Sequence, residues 1–134
     1  MAGSKVAPRT AAGFGSILLG SAMGVNLNTA TNVDTVIQMI DTPTKFRVRA
    51  VAMTNGSINP TTARFTIQTG ALVSGTAVVT AVTPSLGSSS VVQDLSIAST
   101  AAITGTGALY LNLTTAQGAA ATVDIYVYGD IYTA

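Results

Sequence analysis

Hydrophobic and polar positions alternate with period two along several short stretches of this 134-residue chain. That alternation predicts strands, because successive side chains leave a pleated backbone on opposite sides. The clearest stretch, Lys45 to Met53, puts Phe46, Val48, Ala50 and Ala52 on one face and Lys45, Arg47 and Arg49 on the other. Ala63 to Gln68 sets Ala63, Phe65 and Ile67 against Arg64, Thr66 and Gln68. Val91 to Ile97 sets Val91, Gln93, Leu95 and Ile97 against Val92, Asp94 and Ser96. The leucines of Leu109 to Leu113 point one way, and Thr122 to Tyr128 places Val123, Ile125 and Val127 inside with Asp124, Tyr126 and Tyr128 outside. Shorter apolar strands are predicted near Phe14 to Leu19, over Thr35 to Ile40 and over Thr76 to Val82.

Turn chemistry separates these stretches. Asp41-Thr42-Pro43 and Asn59-Pro60 bend the chain, Asn55-Gly56 offers a position for positive φ, and Gly129-Asp130 reads as a bulge or turn before Ile131-Tyr132. About eight short strands at this spacing, with no helical period, predict an all-β fold. We expect a two-sheet antiparallel β-sandwich of jelly-roll type, with an immunoglobulin-like sandwich as the alternative. Residues 14–134 form the single sandwich domain in this reading, behind an extended N-terminal arm over 1–13.

Composition changes the picture at the surface. Charged residues make up 8% of the chain and the net charge is +1, against about 25% charged residues in an ordinary soluble domain. A surface built of Thr, Ser, Asn, Gly and Ala has weak electrostatic protection against association, and reads as one meant to be covered by partners. Near-neutral charge and the absence of Trp argue against nucleic acid as the main ligand. Lys5 and Arg9, followed by an apolar run to Met23, imitate a secretory signal. That run is interrupted by Gly13, Gly15 and Ser16 and is too short to span a membrane, so a partner-bound arm carrying Lys5 and Arg9 is the expectation.

Candidate chemistry is sparse. His, Cys and Glu are all absent, which removes the usual general base, the usual thiol nucleophile and the commonest zinc ligands. The five acidic residues, Asp34, Asp41, Asp94, Asp124 and Asp130, show neither the spacing of a calcium loop nor that of a paired-carboxylate site. No phosphate-cradling glycine pattern occurs either. We therefore expect no enzyme and no cofactor. Three of the six cations, Lys45, Arg47 and Arg49, share one strand face, which is either plain solvated surface or a contact with an acidic partner. Tyr126, Tyr128 and Tyr132 crowd the last nine residues, and Tyr suits interfaces because it covers apolar area while keeping a polar tip. Packing against a second layer is the equally weighted alternative for them.

The run Phe46-Arg-Val-Arg-Ala-Val-Ala-Met-Thr-Asn-Gly-Ser-Ile58, the following Thr61-Thr-Ala-Arg-Phe65, and the ending Leu109 to Asp130 resemble small virion proteins of tailed bacteriophages. The resemblance implies a capsid decoration (cement) protein. Such a protein is a β-sandwich or jelly roll, often trimeric, that sits on the outer surface of the head and bridges subunits of the major capsid protein or other virion proteins. It carries no catalytic residues. Two other classes compete with this one. A head-fibre, tail or receptor-binding module would recognise a host glycan, with Tyr126, Tyr128 and Asp124 as the nearest platform. A bacterial surface or pilus subunit would require residues 1–24 to act as a signal.

Overall fold

A computed structural model describes residues 17–29, 33–40, 45–72, 74–84, 92–99, 101–104 and 108–133. The arm with Lys5 and Arg9, the start of the first predicted strand at Phe14, and Asp41 lie outside these residues. The described strands are β1 (Ile17–Asn26), β2 (Val33–Met39), β3 (Lys45–Thr54), β4 (Arg64–Gly70), β5 (Ser74–Val82), β6 (Gln93–Leu95), β7 (Ile103–Thr104), β8 (Ala108–Thr115) and β9 (Thr122–Thr133).

All nine strands belong to one sheet in the order β5-β4-β8-β2-β1-β9-β3-β6, with the two-residue β7 also on β3, and the pairings are antiparallel. The fold is all-β, as the alternation predicts, and no described residue is helical. Where two packed sheets were expected, the described strands form one sheet nearly closed into a barrel. The ends of that sheet meet at a seam, where the Ala98 N–H donates to the Val78 carbonyl at 2.7 Å. Closure is the physical alternative to a sandwich, since it leaves few unpaired strand edges.

Period-two patterning fills the interior much as predicted. Phe65 and Ile67 of β4, Leu109, Leu111 and Leu113 of β8, and Val123, Ile125 and Val127 of β9 are all buried in one apolar cluster. β3 differs in its second half. Val48 pairs with Gly129 and Ala50 with Tyr128, so Arg49 is an extra residue in a bulge. The bulge switches the inward set from Phe46 and Val48 to Val51 and Met53, all four fully buried, and turns Ala50 and Ala52 to the outer side. Ala50-Val51-Ala52-Met53 is apolar at every position, so alternation alone could not locate the switch.

β9 runs straight through Gly129-Asp130 instead of turning there. Gly129 is needed because a Cβ at this position would collide with the Arg47 carbonyl and the Leu19 side chain. The strand predicted over Val91 to Ile97 shrinks to the three residues of β6, although Leu95 still points in and Asp94 out.

One wall of the barrel is sealed on its outer side. Thr66 pairs with Asn112, Asn112 with Asp34, and Gln68 with Tyr110, which places these side chains opposite the leucine face of β8. Yet Thr66, Gln68 and Asn112 are buried. The turn after β4 reaches back to β2, where the Leu72 N–H donates to Asp34 Oδ2 at 2.8 Å. Asn112 Nδ2 donates to Asp34 Oδ1 at 2.9 Å. Asp34 is thus a strand residue that ties down the hairpin tip.

Candidate protein-contact face

The opposite wall gathers most of the residues singled out from the sequence. β3 and β9 are neighbours, so Lys45, Arg47 and Arg49 lie beside Tyr126, Tyr128 and Tyr132 on one outer face. Arg47 stands across from Asp130, and the bulge at Arg49 brings a second guanidinium to the same carboxylate. Arg47 Nη2 and Arg49 Nε both donate to Asp130 Oδ2, at 2.9 and 2.6 Å. The hydrogen bond from Arg49, reinforced by Arg47 and by both positive charges, holds the Asp130 carboxyl below its ordinary range despite partial burial.

Tyr132 completes this end of the face. Lys45 Nζ and the Arg47 guanidinium carbon lie 5.9 and 5.8 Å from its ring centroid, which is cation–π range and contributes about 0.5–1 kcal/mol at an exposed site. Three cations and one carboxylate leave this end with a formal charge of +2.

The middle of the face is nearly uncharged. Ala50 and Ala52 pair with Tyr128 and Tyr126 across β9, and both rings are half-buried. An open groove of about 460 Å³ runs here between Arg49 and Asp94, lined by Ala50, Val51, Ala52, Leu95 and Tyr128. Burial, then the Asp124 charge and Tyr128, push the Tyr126 phenol upward, so it stays a neutral hydrogen-bonding group at neutral pH.

Acidic groups stand beside the middle and at the far end. Asp94 on β6 pairs with Ala52 and points outward, while Asp124 pairs with Thr54. Asp124 accepts from the Gly24 N–H at 2.7 Å and from Asn55 Nδ2 at 2.8 Å. It thereby braces the β1 bulge and the Asn55 turn, where φ is +54°. Each oxygen of this carboxylate, the acidic member of the glycan platform suggested by Tyr126, Tyr128 and Asp124, thus accepts one hydrogen bond from the fold.

Six of the eight contact candidates therefore share one face, and Lys5 and Arg9 lie outside the described residues. Sequence reasoning did not include Asp94 or Asp130 in the site. Asp130 looked like a turn residue, and no local signal says that β9 lies beside β3 with Asp130 opposite Arg47. Among the described residues no group of three or more His, Cys, Asp or Glu side chains could hold a metal ion. Compared with known protein families, curated proteins and solved structures, the chain gives no match.

Proposed function

We propose that this chain is a non-enzymatic virion structural protein that decorates and stabilises a bacteriophage capsid through protein–protein contacts. The observation that carries the reading is the placement of scarce charge. Five of the six described charges of β3, β6 and β9, namely those of Lys45, Arg47, Arg49, Asp94 and Asp130, belong to one outer strip around the groove, and Asp124 lies at its end. Tyrosine and arginine are enriched at contact surfaces. The resemblance of the Phe46–Phe65 and Leu109–Asp130 stretches to tailed-phage virion proteins supplies the virion part of the proposal. It also supplies the partners, which are the major capsid protein or other virion proteins, the outer capsid surface as location, and a homo-oligomer expected to be a trimer. A barrel whose opposite walls pack through one core is compatible with the two-layered, jelly-roll character those proteins have.

Capsids assembled without the protein test this directly. Added protein is expected to bind expanded shells and raise their melting temperature, and the paired Arg47→Glu, Arg49→Glu variant is expected to bind less while remaining folded. Absence of binding by the wild-type chain refutes the proposal. A host-glycan module is the second reading, favoured by the groove that sets Tyr128 between Arg49 and Asp94. A glycan array probed with the whole chain decides it, since hits lost on Tyr128→Ala would support that reading and an array without hits would remove it.

A further inference from the structure

The charged ends of the contact strip suit a partner with the same strip running the other way. Along β3 the order is Lys45, Arg47 and Arg49 with Asp130, then Ala50 beside Tyr128, then Asp94 level with Ala52 and Tyr126, and last Asp124 beside Thr54. The formal charge is +2 at one end and −2 at the other. Arg49 and the Ala52 level of Asp94 are about 10 Å apart at strand rise, and Lys45 and the Thr54 level of Asp124 about 30 Å, against a screening distance of about 8 Å at physiological salt. Each end therefore presents its own sign to a partner.

We propose that the partner for this strip is a second copy of the chain, docked face to face about a two-fold axis that runs across the strands. Two in-plane dyads can lay such a face on itself. A dyad along the strands sets cation on cation and acid on acid. A dyad across the strands reverses the strip, so that Arg49 of each copy meets Asp94 of the other and the Ala–Tyr middles pack together. Only the second is electrostatically complementary, and it is isologous, with every contact made twice. This dyad keeps each strand over its own counterpart, so the β9 tyrosines of the two copies face one another beside the Arg49–Asp94 groove.

Size sets the strength. About 30 Å by three strand spacings gives roughly 450 Å² per partner, below the roughly 800 Å² per partner of a standard stable interface. The dimer is therefore weak, reversible and salt-sensitive. Repetition on a surface would raise its occupancy without any new contact. This inference rests on the strip being a contact face and gives that face to a second copy, so that Arg47→Glu, Arg49→Glu would weaken capsid binding through loss of the dimer; it does not depend on the virion, and it predicts a dyad in place of the trimer that the resemblance implies.

The test uses the isolated full chain in sedimentation equilibrium at rising concentration, with circular dichroism to confirm folding. Wild type is expected to reach a reversible dimer that weakens with added salt. Arg49→Glu alone and Asp94→Arg alone should each weaken it at least tenfold, because each sets like charges together at both contacts. Mixing the two variants should restore a heterodimer. The carboxylate introduced by Arg49→Glu then faces the guanidinium introduced by Asp94→Arg, and at the second contact native Asp94 of the first chain meets native Arg49 of the other. Carrying both changes in one chain should restore the homodimer. A strictly monomeric or trimeric wild type, single variants that dimerise like wild type, or a mixture that stays monomeric would each overturn the proposal. Asp94 lies outside the Arg47–Arg49–Asp130 cluster, so Asp94→Arg remains informative even if Arg49→Glu disturbs that cluster. The measurement involves no capsid, so its failure leaves the capsid reading standing, and failure of capsid binding leaves the dimer standing.

Discussion

On the β3–β9 wall the outward polar side chains remain partly exposed and pair with one another across strands, with Asp130 holding Arg47 and Arg49. On the β4–β8–β2 wall the equivalent outward positions, Thr66, Gln68 and Asn112, are buried, and Asp34 is engaged by the Leu72 N–H and by Asn112. The same strand parity thus serves two ends. One wall keeps its polar groups partly exposed, while on the other Asn112 and Asp34 fasten a hairpin tip back onto the barrel. Sealing is not free: both amide atoms of Gln68 and the Oδ1 of Asn112 have no hydrogen-bond partner, and a buried unsatisfied group of this kind costs about 1–3 kcal/mol.

The largest expected effect is common to both walls. Phe46 on β3 and Phe65 on β4 are fully buried in the same core, so Phe46→Ala and Phe65→Ala should each lower unfolding free energy by about 3–5 kcal/mol in denaturant melts. A much smaller loss at Phe65 alone would show that the two walls do not share one core. Next comes a direct contrast between carboxylates. Asp34→Ala leaves the part-buried Asn112 amide without its acceptor and frees the hairpin tip, and should cost about 1–3 kcal/mol, whereas Asp130→Asn on the open wall should cost no more than about 1 kcal/mol. Equal losses would erase the distinction between the walls.

Gln68→Met sharpens the comparison from the other side. It replaces an orphaned buried amide by an apolar chain of similar shape, which should be neutral or stabilising by about 1 kcal/mol. A clear loss of stability would mean that Gln68 holds something the barrel needs. The smallest effect is acid sensitivity. The folded Asp130 carboxyl sits below its ordinary value, so its contribution is fully present above the unfolded value and is lost as pH falls through the lowered one. Wild type should therefore lose slightly more stability than Asp130→Asn below about pH 4, measured by thermal melts across an acid series.

Much of the fold was legible because most strands alternate cleanly. Phe46, Phe65, Leu109, Leu111, Leu113, Val123, Ile125 and Val127 all point inward as their spacing predicts. Barrel closure was not legible, since it depends on strand order, which periodicity does not encode. The bulge at Arg49 was hidden because the run after it, Ala50–Met53, is apolar at every position, and the burial of Gln68 was hidden because its outward position in the alternation reads as exposed. Most of the proposed contact face could be read from β3 and β9 separately. The pairing of Arg47 with Asp130 and the acidic end at Asp94 could not, because both are set by neighbours far away in sequence.

β1 and β3 lie on either side of β9, so a strand made late fills the gap between two strands made early. Ile17 waits for Gly129 and Lys45 for Thr133. During synthesis at about 5–20 residues per second, both early strands emerge with their shared neighbour still unmade. Until β9 follows them out of the ribosome, each carries an open edge that any passing strand could occupy. Interrupting translation just before Ile131 would leave Phe46 and Lys45 without the backbone partners that β9 gives them. A few missing residues in β9 should accordingly lower the yield of folded protein far more than their small size suggests.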